Sequence, residues 1–318
     1  MTRYCIGIDL GGTYIKFGLL DEQRRGGELR QLNTPAGGQA VVEQMVRGAE
    51  SLLAERGVKH EDVLGVGIGS PGPLDLHRGV IIDMPNIEGM RNLPIRDLVS
   101  ERLSLPAVLD NDANCAAFGE HLCGGGSGKD LVLLTLGTGV GSGIIVDGRL
   151  LHGAHGVGSE FGHMLVDPGG ELCNCGQRGC LERYCSATFI AHRATRMIQE
   201  GRNGLLAAVL KQKGDINSLD IEHAATAGDE LATEIWDGAA YYLAVGCVNI
   251  ARALDPDEIL LGGGLAKAGA ALLEPVRKHF AALHWKLTDR LTHIDLARLG
   301  NDAGTLGAAG VAWAKFRT

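Results

Sequence analysis

Two short apolar runs near the start of the chain are separated by a tight glycine turn. Residues 4–10 and 14–20 each have the composition of a buried β-strand, and the turn at 11–13 reads Gly-Gly-Thr. Apolar runs bounded by turn residues are typical of strands, and a short glycine turn between them is typical of a β-hairpin. The arrangement returns at residues 131–146, again around a Gly-Thr turn. The sequence therefore predicts two similar hairpins, one opening each half of the chain.

Helical periodicity and further short apolar runs occupy the rest of each half. Apolar residues at helical spacing predict helices at 39–55, at 95–103, from 112 to 123, across most of 186–254, from 265, and at 304–316. Short apolar runs predict strands at 63–68, 80–83, 105–109, 257–261 and 293–296. This mixture, with Gly-rich turns at the strand ends, predicts an α/β protein in which the last helix packs back on the first half.

Composition narrows the class of protein. The chain has 318 residues, 45% hydrophobic and 21% charged, with a net charge of −8 and a pI near 5.8. A net negative charge argues against a nucleic-acid-binding protein, which typically has a basic surface. No apolar run reaches membrane-spanning length. Nothing at the start resembles a signal peptide, and five of the eight cysteines are scattered through apolar patterns. We therefore expect a cytoplasmic protein with reduced cysteines and neither nucleic-acid nor membrane partners.

Two glycine-rich stretches imitate nucleotide-binding motifs and are rejected. Residues 67–72 match the dinucleotide fingerprint in letters only, because Pro71 and Pro73 prevent the helix that this motif requires. We interpret the stretch instead as a loop at a strand end that contacts substrate. Residues 124–129 resemble part of a phosphate-binding P-loop, but a strand follows where a helix is needed. That stretch is interpreted as a flexible linker between the two halves.

The first hairpin has the residues of a phosphate and magnesium site. Gly11 and Gly12 allow backbone N–H groups to approach an anion, and Thr13 adds a hydroxyl. Asp9 ends the first strand, where a carboxylate can hold hydrated Mg²⁺, and Lys16 lies on the returning strand. An ordinary hairpin with an acidic residue near its turn is the alternative. If the repeat is genuine rather than chance similarity, the two hairpins suit a grip on one nucleotide's phosphates.

Two further strand ends carry candidate chemistry. A short apolar strand runs into Asp110, Asn111 and Asp112, just before an alanine-rich helix. Asp112 is a candidate general base at a strand end, but either Asn111 or Asp112 could instead cap that helix. The strand at 257–261 ends in three glycines, which permit a planar ring or a phosphate near a helix N-terminus.

A metal site is predicted between the two carboxylates Glu160 and Glu182. One histidine and three cysteines occur in this run, and one imidazole with three thiolates suits tetrahedral zinc with no open position. We therefore interpret the zinc as structural; the alternatives are a surface loop of reduced cysteines or a redox pair at the first two cysteines. The flanking glutamates could present acceptors to a hydroxylated ligand. The four proposed ligands are His163, Cys173, Cys175 and Cys180.

Taken together, these motifs resemble the ROK family (repressors, open reading frames and sugar kinases), and within it the bacterial glucokinases. Residues 9–13 match the family's first phosphate motif, and residues 136–143 match the second, which begins a signature that runs to 162–163. Residues 261–264 match the adenosine motif, and the run from Glu160 to Glu182 matches the sugar and zinc motif. The resemblance covers nearly the whole chain.

This resemblance implies a duplicated actin-like ATPase (ribonuclease H-like) fold, with two domains around a cleft. The expected division is a smaller N-terminal α/β domain at 1–123, joined by the helix at 304–318, and a larger domain at 124–303 with the zinc loop 160–182. The implied reaction is ATP-dependent phosphorylation of a hexose at the 6-hydroxyl, glucose to glucose 6-phosphate, with ATP, Mg²⁺ and structural Zn²⁺. A glycolytic role and a homodimer or homotetramer are expected.

The resemblance also implies a residue set. Asp112 is the expected catalytic base. The expected sugar ligands are Gly72, Asn86, Asn111, Asp112, Glu160, His163 and Glu182. The expected nucleotide and phosphate ligands are Asp9, Gly11, Gly12, Thr13, Lys16, Thr138, Gly139, Gly262 and Gly263.

Two alternatives to a glucokinase stay open from the sequence. The acceptor could be fructose, mannose, allose or an N-acetylhexosamine, and polyphosphate could serve as an additional donor. A sugar-responsive regulator that binds without turnover is the second alternative. Asp112 and both phosphate motifs favour the enzyme. The family's repressors carry an N-terminal helix-turn-helix, for which no residues precede the first strand here.

Overall fold

The chain forms two compact units in a computed structural model that describes residues 2–27, 29–84, 87–125, 128–286 and 291–317. The first unit comprises Met1–Lys129, Gly143–Ser159 and Arg298–Thr318, and the second comprises Asp130–Ser142 and Glu160–Ala297. This division differs from the expected domain boundaries mainly in residues 143–159, which belong to the first unit.

The described residues of the first half contain seven strands. Five of them form one sheet in the order β3-β2-β1-β4-β7, and the remaining two form a small separate hairpin. β2 runs antiparallel to its neighbours, whereas β1, β4 and β7 run parallel. The strands are β1 (Tyr4–Leu10), β2 (Tyr14–Asp21), β3 (Arg30–Asn33), β4 (Val63–Ser70), β5 (Leu74–Asp75), β6 (Val80–Ile81) and β7 (Ala107–Asn111).

The helices of this half bury apolar faces against the sheet. α1 buries Val41, Val42 and Met45 in one core with Ile6, Ile8 and other residues of the central strands. Parallel strands covered by helices need nearly continuous apolar sequence, as β1 and β4 have. The helices are α1 (Gly38–Arg56), α2 (Ile95–Leu103) and α3 (Asp112–Cys123).

The second half repeats the strand pattern. Its sheet has the order β10-β9-β8-β11-β12, with β11 parallel to both β8 and β12. A hairpin return strand again lies beside the first strand, and parallel strands follow on the other side. The strands are β8 (Leu131–Leu136), β9 (Val140–Val146), β10 (Arg149–Leu150), β11 (Glu258–Gly262) and β12 (His293–Leu296).

Helices of the second half agree broadly with the periodicity, with one correction. The helix predicted from Leu265 is wrong at its start: Leu265–Ala268 is a 3₁₀ turn, and the regular helix begins at Ala270 after Gly269 at φ 61°. The helices are α4 (Glu182–Cys185), α5 (Ala187–Gln199), α6 (Leu205–Lys213), α7 (Ser218–Thr226), α8 (Glu230–Leu254), α9 (Ala270–Leu283) and α10 (Ala303–Phe316). Within the described part of the chain, no helix is long and apolar enough to cross a membrane.

The helix α10 returns to the first unit and packs at unusually short range. A β-carbon at Gly7 of β1 would collide with the backbone oxygen of Thr305, and one at Gly67 of β4 with that of Ala308. Glycines on two adjacent strands therefore let the helix backbone rest directly on the sheet. This approach brings the first turn of α10 to the end of β1, where Asp9 lies.

Candidate functional site

Asp9 lies next to the positively charged Lys16 in the first unit. Its Oδ2 is 3.8 Å from Nζ of Lys16, which also donates a 3.0 Å hydrogen bond to the backbone oxygen of Asn301. A β-carbon built on Gly304 would lie 3.0 Å from the Asp9 carboxylate, so only glycine fits there comfortably. Lys16 therefore joins the strand end to the turn before α10, a contact 285 residues apart in sequence that no local pattern signals.

The turn that follows Asp9 is held in shape by a residue that the sequence did not single out. Thr34 Oγ1 donates a 2.7 Å hydrogen bond to the backbone oxygen of Gly11, and Thr34 N donates a 2.9 Å bond to that of Thr13. Gly11 N itself donates to the backbone oxygen of Tyr14 at 2.9 Å, so the N–H groups after Gly11 are the ones that an anion could use. Thr34 follows β3 directly, and only its neighbouring strand β2 makes it adjacent to the hairpin turn.

The junction of β7 and α3 answers the capping question left open by the sequence. Asn111 Oδ1 accepts hydrogen bonds from the backbone N–H groups of Ala113 (2.9 Å) and Asn114 (3.3 Å), so Asn111 is the helix cap. Asp112 is the first residue of the helix, and its Oδ1 also accepts from Ala113 N at 2.9 Å. Capping is thus supplied by Asn111, and the Asp112 carboxylate is a half-buried acceptor at the helix start.

The carboxyl groups of Asp9 and Asp112 both have raised pKa values. Burial raises the pKa of the Asp9 carboxyl from its usual 3.8 to about 6; Lys16 opposes this, and the negative charge of Asp112 adds to it. Burial also raises the pKa of Asp112, against its backbone hydrogen bonds. Two acidic groups that interact and are both partly withdrawn from water are typical of sites that handle protons or cations.

We expect Asp9→Asn to stabilise the protein at neutral pH. The folded pKa of Asp9 lies above its value in the unfolded chain, so its ionised form destabilises the fold. That penalty is absent below pH 3.8, grows as the pH rises to about 6, and is complete above it. At pH 7.5, metal-free Asp9→Asn should therefore unfold at least about 2 °C higher than the wild type. Differential scanning calorimetry at pH 7.5 and at pH 5 measures the change, which should shrink at the lower pH.

The matched control is Asp97→Asn, which alters an exposed carboxylate paired with Arg96 on the surface. Its unfolding temperature should stay within about 1 °C of the wild type at both pH values, because exposed ion pairs contribute little. A lower unfolding temperature for Asp9→Asn than for the wild type at pH 7.5 would contradict the raised pKa of Asp9.

Of the two candidate sugar ligands that precede β7, the structure describes one. Gly72 follows β4 at φ 92°, and a β-carbon there would lie 2.7 Å from the backbone oxygen of Asp83. A larger residue is disfavoured on both counts, which keeps the backbone of this loop open. Asn86 lies outside the described residues.

In the second unit, the Gly-Thr turn lies beside a cavity. Gly137 N donates to the backbone oxygen of Gly139 at 3.0 Å, and Ala187 N, at the start of α5, donates to that of Gly137 at 2.9 Å. Thr138 lines a cavity of about 470 Å³ together with His192 of α5 and the segment 214–218. Apart from Thr138 these lining residues were not predicted, because they come from α5 and from the loop between α6 and α7, which carry no phosphate motif.

The glycines after β11 occupy a tight crossing. Gly263 has φ 85°, and a β-carbon there would lie 2.6 Å from the backbone oxygen of Leu136, the last residue of β8. Gly262 and Gly263 therefore bring the end of β11 close to the start of the Gly-Thr turn. Since a 3₁₀ turn follows, the helix N-terminus expected beside these glycines lies further along, at Ala270.

The four predicted zinc ligands converge in the second unit. One ligand atom from each of His163, Cys173, Cys175 and Cys180 lies within 4.8 Å of the others. His163 Nδ1 is 3.7 Å from Cys173 Sγ, and the sulfurs of Cys175 and Cys180 are 3.6 Å apart. Tetrahedral zinc with Zn–S bonds of about 2.3 Å requires sulfurs roughly 3.8 Å apart. The donor set and its spacing therefore fit a zinc ion, bound through Nδ1 of the histidine.

The zinc cluster and the Gly-Thr turn share Glu182 as a neighbour. Its Oε1 accepts from Cys173 Sγ at 3.1 Å and lies 3.9 Å from His163 Nδ1. A β-carbon on Gly139 would lie 2.8 Å from its Oε2. The predicted ligand Glu160 is exposed, and its backbone oxygen accepts from His163 N at 3.0 Å. The half-buried Glu182 carboxylate thus links the zinc loop to the turn, and Glu160 is a second, exposed carboxylate of the same loop.

Comparison with known proteins identifies the family to which this architecture belongs. A family model described as the ROK family matches residues 5–315. The chain is 39% identical over 312 residues to a glucokinase from Halalkalibacterium halodurans, with 96% of this chain and 93% of that protein covered.

Solved structures give the same picture. The crystal structure of a ROK hexokinase from Thermus thermophilus has a TM-score of 0.84 at 35% identity, covering 100% of this chain and 99% of that one. A ROK family glucokinase from Streptomyces griseus in complex with glucose and AMPPNP has a TM-score of 0.79 at 35% identity, covering 98% and 99%. The predicted fold class, a duplicated actin-like α/β fold in two domains, is confirmed by these neighbours.

Proposed function

Because the chain belongs to the ROK family, we propose that it is an ATP-dependent sugar kinase that converts glucose to glucose 6-phosphate. One observation carries the proposal: a ROK glucokinase solved with glucose and AMPPNP matches 98% of this chain at a TM-score of 0.79. The glucokinase from Halalkalibacterium halodurans supports the same acceptor at 39% identity over nearly the full length.

Asp112 is proposed as the catalytic base. Phosphoryl transfer needs a positioned hydroxyl, neutralised phosphate charge and an acceptor for the hydroxyl proton. Asp112 would accept the proton of the sugar 6-hydroxyl as that oxygen attacks the γ-phosphorus in line and ADP leaves. A carboxyl whose pKa is raised by burial binds a proton more readily, which suits a base working near neutral pH.

Phosphate binding is assigned to the turns of the two hairpins. In the first unit, the turn at Gly11 and Gly12 is proposed to bind phosphate, with the Gly12 N–H and the Thr13 hydroxyl as donors and Lys16 adding a positive charge. Gly11 shapes the turn, because its own N–H bonds the backbone oxygen of Tyr14 at 2.9 Å. Asp9 would hold hydrated Mg²⁺, which when bound supplies charge neutralisation of the phosphates. In the second unit, Thr138 and Gly139 are the corresponding donors, with Gly262 and Gly263 assigned to the adenosine.

The sugar hydroxyls are assigned to the ligand set that the family resemblance implies. Asn111 can use its amide N–H₂ group for a sugar while its Oδ1 caps α3, since the two functions need different atoms. His163 can bind zinc through Nδ1 and donate to a hydroxyl through Nε2. The full proposed set is Gly72, Asn86, Asn111, Asp112, Glu160, His163 and Glu182.

Zinc is proposed as a structural ion held by His163, Cys173, Cys175 and Cys180. Bound there, it would fix the loop 160–182, on which three of the proposed sugar ligands lie, and it takes no part in the transfer step. A glycolytic role, a cytoplasmic location and a homodimer or homotetramer complete the proposal; these rest on the family resemblance alone.

A coupled assay tests the function directly. Purified protein with Mg²⁺ and ATP is offered glucose, mannose, fructose, allose and N-acetylglucosamine, and ADP release is followed. We expect kcat/KM to be highest for glucose, and mass spectrometry should find the product phosphorylated at the 6-position. Preference for another hexose would replace glucose as the substrate, and no turnover of any sugar would contradict the kinase assignment. Polyphosphate in place of ATP tests the donor.

A further inference from the structure

A buried polar chain runs beneath the start of α3 in the first unit. Asp110, the residue before the helix cap, has a side chain only 4% exposed, and Asn114 is likewise buried. Asp110 Oδ2 lies 2.7 Å from Nε2 of His152, and its Oδ1 accepts from Asn114 Nδ2 at 2.9 Å. Asn114 Oδ1 in turn accepts from the hydroxyl of Ser159 at 3.0 Å. Four side chains therefore form one continuous hydrogen-bonded series from His152 to Ser159.

The series surrounds the proposed catalytic base without including it. Asp110 Oδ1 also accepts from Asn111 N at 2.8 Å, so the buried carboxylate holds the backbone just before Asp112. Asn114 lies in the same first turn of α3, two residues after Asp112, and its amide donates to the same carboxylate at 2.9 Å. Two buried side chains, Asp110 and Asn114, thereby determine the position of Asp112. They act through the backbone on either side of it.

His152 supplies the hydrogen-bond donor that the buried Asp110 carboxylate requires. It lies in the loop after β10 and lines a cavity of about 840 Å³ whose walls include Leu74, Phe118 and Val311. A carboxylate buried next to apolar walls is costly unless it is paired. The hydrogen bond to Asp110 raises the pKa of His152 and so favours the charged imidazolium, whereas burial acts in the opposite direction.

The other end of the series reaches the metal loop through the chain itself. Ser159 has a left-handed backbone, with φ 70°, and directly precedes Glu160, a proposed sugar ligand. Non-glycine residues adopt this conformation only where the surroundings hold them. The Asn114 amide therefore holds both the helix that begins at Asp112 and the strained residue before Glu160.

We propose that His152 is a positioning residue for phosphoryl transfer, acting through Asp110 and Asn114 to hold Asp112 and Ser159 in place. The inference rests on the proposed function, since it assumes that Asp112 is the base. His152 makes no contact with reacting atoms in this scheme; it fixes the base in the geometry that in-line attack requires, to which rates are highly sensitive.

The first test compares His152→Ala with His152→Gln in the full-length, zinc-loaded protein. Alanine removes the donor to Asp110, so kcat for glucose should fall about tenfold or more while KM for ATP stays within about twofold. Glutamine places an N–H donor near the position of Nε2, so it should restore most of the lost kcat. Rescue by glutamine separates positioning from a general loss of packing, which glutamine would not repair.

Controls make each result decisive. His155→Ala alters an exposed histidine of the same loop and should leave kcat unchanged. If His152→Ala is not recovered folded, Ser159→Ala decides: deletion of that hydroxyl should lower kcat severalfold without changing KM for ATP. Wild-type kcat in either His152→Ala or folded Ser159→Ala, or a His152→Gln variant as slow as His152→Ala, would overturn the inference. Failure of the wild type to phosphorylate any sugar would instead overturn the proposed function.

Discussion

Replacing Asp112 with Asn will lower glucose phosphorylation by roughly 10²–10⁴-fold while leaving the protein folded. Asparagine is isosteric, and its Oδ1 can still accept the hydrogen bond from Ala113 N. It has no basic oxygen to receive the proton of the sugar hydroxyl at neutral pH. Steady-state kinetics give the loss in kcat, and calorimetric titration should find glucose affinity within about fivefold of the wild type, because binding does not require the basic oxygen.

Asp97→Asn is the matched control, since it makes the same chemical change at an exposed carboxylate on α2. That variant should retain full kcat. If Asp112→Asn keeps kcat within a few-fold of the wild type, Asp112 is not the base. If it loses glucose binding and turnover together, Asp112 acts chiefly as a sugar ligand.

Cys180→Ser will remove the zinc and weaken glucose binding. Cys180 is fully buried within the ligand cluster, so a serine there removes one of the three thiolates of the tetrahedral site. Solvent cannot reach the position to replace it. Structural zinc contributes folding free energy to the segment that binds it, so the loop 160–182 should loosen. We expect KM for glucose to rise about tenfold or more, equivalent to about 1.4 kcal/mol, because Glu160, His163 and Glu182 lie in this loop.

Elemental analysis should find about one zinc per wild-type chain and little in the variant. Limited proteolysis should cleave the variant within 160–182. Cys123→Ser, in the first unit and outside the cluster, should keep the zinc and the KM. Wild-type protein that is purified without chelators, contains no zinc and has full activity would contradict the metal assignment.

The features that the sequence predicted correctly are those whose residues lie close together along the chain. Both glycine hairpins were identified because strand, turn and strand are contiguous in sequence, and the four candidate zinc ligands because all of them fall within eighteen residues. The helix expected at Leu265 was placed five residues too early. Its apolar spacing continues through the 3₁₀ turn, and the left-handed Gly269 that separates turn from helix leaves no mark in the periodicity.

Residues that meet through the fold escaped the sequence. Thr34 is an ordinary threonine until the β2–β3 pairing brings it beside Gly11. His152 lies in a loop rich in glycine and histidine, and nothing local distinguishes it from His155. Only the pairing of His152 with Asp110, 42 residues earlier, gives it a role. Such partners depend on tertiary packing, which hydrophobic periodicity does not encode.

The helix α10 sets the order in which the first unit can be completed during synthesis. Its backbone rests on Gly7 and Gly67, on strands that leave the ribosome long before it does. At about 5–20 residues per second, translation from Leu10 to Ala303 takes roughly 15–60 s. During that time β1, and β4 once it has been made, lack the helix that covers this face, and by its end every residue of the second unit has been made. The unit that starts first therefore finishes last, and the growing chain must keep that face from aggregation.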